Sequence, residues 1–210
     1  MDRILRFAHA DEDLFLDLVD LLLLLKAGSA RGLAATRLDT VLAASASVWK
    51  VSESRDSLEH RTSAELGETV ELATSPNDEA SNQLRQAWSN AYGRNGSPSY
   101  AWVDAIKAVE ALLIPIVIPN DAKSKQTLGR VLGVLRANDG NKWRGSLPGT
   151  DKDHPVAPVV GALELLWPNP DRHGEPNPRP PSEEEARSVV AVAAALIQAH
   201  RETPLVYKVP

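Results

Sequence analysis

In stretch after stretch of this chain, apolar side chains return every three or four residues. That period restricts the chain to a mainly α-helical fold. Leu14, Leu18, Leu21, Leu22 and Leu25 follow it between Asp11 and Lys26, with Asp11, Glu12 and Asp13 at the positive end of the helix and Gly28 as its stop. Phe15 and the other leucines widen that face, so the helix is expected to bury more than one side, either in a core or in a dimer seam. Gly32–Ala44 reads as a second helix, with Leu33, Leu38, Val41 and Leu42 on one side.

The period then changes to two. Ser47–Val51 and Ser57–Thr62 alternate across a Ser-Glu-Ser-Arg-Asp turn, which predicts a β-hairpin near 47–62 with Trp49 and Leu58 inward. An isolated hairpin is marginal, so it should lie on a helical body. Thr62–Thr74 and Asn77–Tyr92 return to the helical period, the second with Asn77 as N-cap and Leu84, Ala87, Trp88 and Ala91 inward. The Gly93–Pro98 break is rich in turn formers and divides the chain into 1–97, a helical region with the hairpin, and 98–210, a helical bundle.

From Pro98, Trp102, Ile106, Val109 and Leu113 recur on one helix face, and Lys107 and Glu110 are spaced to pair on its surface. Pro115 should kink or stop that helix. Ser124–Ala137 is the next helix, with Leu128, Val131, Leu132 and Leu135 inward. A polar loop is expected from Trp143 to Pro155, then a short apolar helix, Val156–Trp167. Ser182 and Glu185 form a capping box before a last helix of small apolar residues running to about His200. Leu205–Val209 fits a short terminal strand.

With no cysteine in 210 residues, disulfides, thiolate metal sites and thiol nucleophiles are excluded. No pair of histidines has metal-ligand spacing and no Gly-rich phosphate loop is present, so neither a metal nor another cofactor is expected. The net charge of −5 argues against a protein that coats nucleic acid over its whole surface. Asp17 and Asp20 precede the Leu21–Leu25 run, so it is no membrane span, and no secretory signal opens the chain. A cytoplasmic protein is the simplest reading.

Two places carry candidate chemistry. Trp167–Glu175 is a polar corner stiffened by Pro168 and Pro170, and it holds Asp171, Arg172 and His173 together before Gly174. The second is basic. Lys123, Lys125, Arg130, Arg136, Lys142 and Arg144 lie close in sequence with only Asp121 and Asp139 nearby, as phosphate contact would require or as a solvated helix face would show. Trp143 there would either stack on a base or plug the edge of a core.

Roughly residues 98–203 resemble the C-terminal domain of abortive-infection proteins, a HEPN-like class of helical domains. The resemblance rests on Ala105 with Ala108–Leu113, on His173-Gly174, and on Glu185-Ala186 to Ala199. It implies an RNA-directed effector or regulator in a defence or toxin-like system. It also implies a metal-independent ribonuclease chemistry, in which His173 moves a proton and Arg172 holds the phosphate. In that family the arginine stands several residues before the histidine. Here Pro168 stands five before His173, and Arg172 is adjacent. The alternative is a non-catalytic dimeric interaction module, with Arg172 and His173 structural. The expected partners are a second copy, RNA and a protein of the same defence system, with no membrane. The second copy is expected from the apolar surface of Asp11–Lys26 and of the last helix.

Overall fold

A computed structural model describes residues 11–25, 29–119, 126–150, 152–171 and 178–209. The protein is mainly helical, with eight α-helices and two small antiparallel two-stranded sheets among the described residues. Contacts divide it into two units, Met1–Thr62 with Tyr92–Asn95, and Ser63–Ala91 with Gly96–Pro210. A break at Gly93–Pro98 would leave two predicted helices in the first half. In the fold those helices pack with the second, because the last helix covers one of them.

The first unit holds α1 (Glu12–Leu25), α2 (Ser29–Ala44), β1 (Trp49–Val51) and β2 (Leu58–His60). The two strands pair as the alternation predicts, with Trp49 opposite His60 and Val51 opposite Leu58. Leu16, Leu23, Ala35 and Leu58 form the core, with Val19, Leu38, Leu42, Trp49 and Val51 packed around it. Asp20 accepts from the Leu58 amide at 2.5 Å and from the Asn95 side chain at 2.7 Å, which ties α1 to the hairpin. The Ser-rich turn is held by Asp56, which accepts from Ser54 and Ser57. These hydroxyls, Ser54 first, keep its pKa below the usual carboxylate value.

The second unit is a bundle of α3 (Ala64–Thr74), α4 (Glu79–Tyr92), α5 (Pro98–Val117), α6 (Leu128–Arg136), α7 (Ala157–Glu164) and α8 (Glu183–Glu202). α8 packs on α3 and α5, and α6 packs on α5 and α7. Small side chains make the α5–α8 approach close. Ala101, Ala105 and Ala108 are buried on one helix, and Ala186, Ala193 and Ala194 on the other. Buried Asp104 is matched by Lys107 at 2.8 Å and Asn90 at 3.2 Å. A Cβ at Gly96 would collide with the Asn90 carbonyl oxygen, so only glycine fits there.

Several elements differ from the sequence reading. Asp78 rather than Asn77 caps α4, accepting from the Ser81 amide at 2.8 Å. Lys107 pairs with Asp104 instead of Glu110, and Glu110 accepts from the Leu128 amide, one of the N–H groups that the start of α6 leaves without a partner inside the helix. α6 begins at Leu128, after Thr127 has capped it. α5 runs two residues past Pro115, which falls in its last turn, where few further backbone bonds are at stake. Trp143–Gly145 is not loop but β3, paired with β4 (Val206–Lys208), the terminal strand that the sequence predicts.

Candidate functional site

The first site candidate is the outer side of α1. At about 100° per residue the helix has three faces. Leu16, Val19 and Leu23 turn into the core. Asp13, Asp17 and Asp20 form a second face, where Arg94 donates to Asp13 at 3.2 Å and to Asp17 at 2.9 Å while its guanidinium lies 5.6 Å over the Trp49 ring. Burial favours the neutral form of Arg94, but the hydrogen bonds and charges of Asp17 and Asp13 outweigh it and raise its pKa. The third face carries Leu14, Phe15, Leu21, Leu22 and Leu25, all exposed, with half-buried Leu18 between them.

These are the residues that the periodicity assigns to the interior, so the prediction is corrected. The helix does have its apolar period, but the core takes the opposite face. The deciding residues are the aspartates at 13, 17 and 20, which the hairpin and residues 94–95 hold. Leu33 and Val41 of α2, also expected inside, are exposed as well. The last helix behaves otherwise. Ala186, Val189, Val190, Ala193, Ala194 and Ile197 are all buried in the bundle, leaving no comparable outer stripe on α8.

The second candidate is the polar corner. Leu166 accepts from the Trp102 indole at 2.7 Å, the Trp167 ring lies where a Cβ on Gly129 would meet it, and the Trp167–Pro168 bond is cis. Buried Asn169 accepts from the Asp171 amide at 2.9 Å, and the Arg179 amide donates to Pro170 at 3.1 Å. The stem is thus well held. Arg172 and His173 themselves lie outside the described residues. The other described histidines have structural settings. His60 stands edge-on to Trp49, and the His154 ring lies 3.2 Å from the Gly145 carbonyl. His200 accepts from the Leu205 amide, and burial, then the Arg201 charge, lower its pKa.

Of the six basic residues, Lys123 and Lys125 also lie outside the described residues. Arg130 is exposed in the first turn of α6, and Lys142 is exposed beside β3. Arg136 and Arg144 come together at one cavity, but they share its wall with Asp139, Asp153 and Glu164, so the acids outnumber the cations. Arg136 is paired with Glu164. Trp143 is 5% exposed and plugs the core edge, leaving no ring face for a base. The sequence shows the cations and Asp139 together, but not Asp153 and Glu164, which lie beyond the basic stretch and reach the cavity only through the fold.

No family model, no curated protein and no solved structure matches the chain. Among the described residues no group of three His, Asp or Glu side chains is placed to hold a metal, and no helix is long and apolar enough to cross a membrane.

Proposed function

We propose that this chain is an interaction module that pairs with a second copy of itself through the outer face of α1. The observation that carries this reading is the unbroken apolar stripe from Leu14 to Leu25, exposed along the helix and free of charge between its ends. Scattered surface leucines are ordinary, but a contiguous stripe marks an association surface. The 14, 18, 21, 25 spacing alternates four and three, which is the seam of paired helices. Such a seam is its own complement, and a two-fold pairing buries it twice. The charge pattern selects the orientation. The first turn holds Glu12 and Asp13 and the last turn no cation, so a parallel pair would set acids against acids. An antiparallel pair keeps the two acidic starts at opposite ends and aligns the two dipoles favourably.

Cross-linking tests the arrangement, since any introduced cysteine is unique in this chain. Antiparallel pairing puts position 18 near its own copy and sets the two copies of position 25 roughly 16 Å apart along the axis, at 1.5 Å per residue. With a short bismaleimide, Leu18→Cys should therefore give a covalent dimer. Leu25→Cys alone should not, but it should when mixed with Leu14→Cys. A failure of Leu18→Cys to cross-link at tens of micromolar would overturn the reading.

The second reading is an RNA-directed effector of the abortive-infection type, with Arg172 and His173 as its catalytic pair. What favours it is that Arg136 and Arg144 meet at one cavity. On that reading RNA binding falls steeply with added salt, and charge reversal at Arg136 and Arg144 weakens it further. The pairing reading expects no salt-dependent RNA binding, because the carboxylates around those arginines repel phosphate.

A further inference from the structure

The cavity at Arg136 and Arg144 lies within the second unit, between α6, the 3₁₀ turn Ala137–Gly140 and α7, and has a volume of about 450 Å³. That is within the range of small-molecule sites. Leu135, Val156 and Val160 make its apolar floor. The turn is held tightly against α7, since a Cβ on Gly140 would lie 2.7 Å from a Val156 methyl. Asp139 and Gly140 both take the left-handed conformation there, with φ of +55° and +73°.

The charges divide into satisfied and unsatisfied ones. Arg136 and Glu164 neutralise each other across one end. Arg144 stands on β3 opposite in sense to buried Trp143, and its guanidinium is fixed by donating to the Trp143 carbonyl at 2.9 Å and the Asn141 carbonyl at 3.3 Å. Among the described residues no carboxylate pairs with it. Asp139 and Asp153 likewise have no cationic partner among them. One wall is left open by Gly161, in the interior of α7. A Cβ added there would meet nothing within 4 Å, and no positive φ requires glycine, so α7 forgoes a better helix former at a point that lines the cavity. Gly67 and Gly133 also face open space, so it is the coincidence with the cavity that matters.

We propose that this cavity binds a small zwitterion of amino-acid size. Its amine is set against Asp139 and Asp153, its carboxylate against Arg144, and its aliphatic part against Val156 and Val160. A multiply charged anion would face three carboxylates, and a bare amine would leave the Arg144 guanidinium unmatched.

The test is a titration of the full chain with L-lysine, followed by amide resonances and calorimetry. The expected result is saturable binding, with the Gly140 and Gly161 amides among those that shift. Arg144→Met and Asp153→Asn should each weaken it about tenfold, the order of one lost charged contact. Gly161→Leu should fill the cavity and abolish binding, while circular dichroism and the melting temperature show an intact fold. n-Butylamine, glutarate and inorganic phosphate should bind at least tenfold more weakly than L-lysine. Absence of L-lysine binding at about 10 mM, roughly tenfold above the Kd of a 1 mM site, would overturn the proposal. So would unchanged binding in Gly161→Leu, or phosphate binding as tightly as L-lysine.

Discussion

Arg201→Ala lowers the unfolding free energy of the protein by about 3 kcal/mol, the range for removing one member of a largely buried charged network. The guanidinium donates to the Ala73 carbonyl at 2.7 Å, to both Asp78 oxygens at 2.9 and 3.0 Å, and to the Ser81 hydroxyl at 2.9 Å. Only 17% of its side chain is exposed, against 40% for Asp78, so the loss lies at the low end of that range. One residue of α8 thus supplies a donor to the last turn of α3 and fixes the N-cap of α4. Losing it leaves the Ala73 carbonyl, at the end of a helix, without that donor. At about 2–4 °C per kcal/mol for a chain of this size, the melting temperature falls by roughly 6–12 °C. Arg201→Lys keeps the charge but not the planar fork, and recovers less than half of the loss. A change of under about 0.5 kcal/mol, the level of ordinary surface substitutions, would show that the network is incidental.

The same network sets part of the acid dependence. Hydrogen bonds from Arg201, ahead of the Ser81 bonds, hold the Asp78 carboxyl well below the usual carboxylate range. The Arg179 fork, with the Ser182 amide, lowers Glu185 to about 2. Both groups are depressed on folding. Their contribution is therefore present above the unfolded values of 3.8 and 4.5 and is lost as the pH falls toward the folded ones. Stability should drop below about pH 4.5, and in Arg201→Ala the Asp78 part of that drop should shrink to what the Ser81 bonds sustain.

Elements with a single buried face were legible in the sequence. Ile106, Val109 and Leu113 of α5 and Leu128, Val131, Leu132 and Leu135 of α6 are buried as their spacing predicts. So is the Ser182–Glu185 capping box, whose residues bond reciprocally within one turn. What failed depended on distant partners. The leucines of α1 satisfy the helical period on two sides, and only the aspartate contacts to Leu58, Arg94 and Asn95 decide which side faces the hairpin. The spacing of Lys107 and Glu110 suggests a local pair, whereas the donor that Glu110 accepts from, the Leu128 amide, is eighteen residues away. The cavity at Arg144 is assembled from a helix end, a tight turn, a strand and a second helix. Its basic half is clustered in sequence, whereas its acidic half is spread from Asp139 to Glu164.

A second large effect is expected on assembly. Leu21 is 48% exposed at the middle of the α1 stripe, beside half-buried Leu18. In the antiparallel pair it packs against the partner's copy of Leu18, away from solvent. A carboxylate there would be buried without a cation, twice per dimer because of the two-fold symmetry. At a few kcal/mol for each uncompensated charge, Leu21→Glu should weaken self-association by at least about 100-fold. Because the position is solvent-facing within one protomer, the fold should not lose stability beyond that of the pairing itself. Leu16→Glu is the contrasting change. It places the charge in the core of the first unit, and that unit should unfold.

Sedimentation equilibrium of the full chain and of Leu21→Glu at tens of micromolar tests the pairing claim most directly. The unaltered chain should sediment as a dimer and Leu21→Glu as a folded monomer. An unaltered chain that sediments as a monomer, or a Leu21→Glu variant that stays fully dimeric, would contradict the pairing.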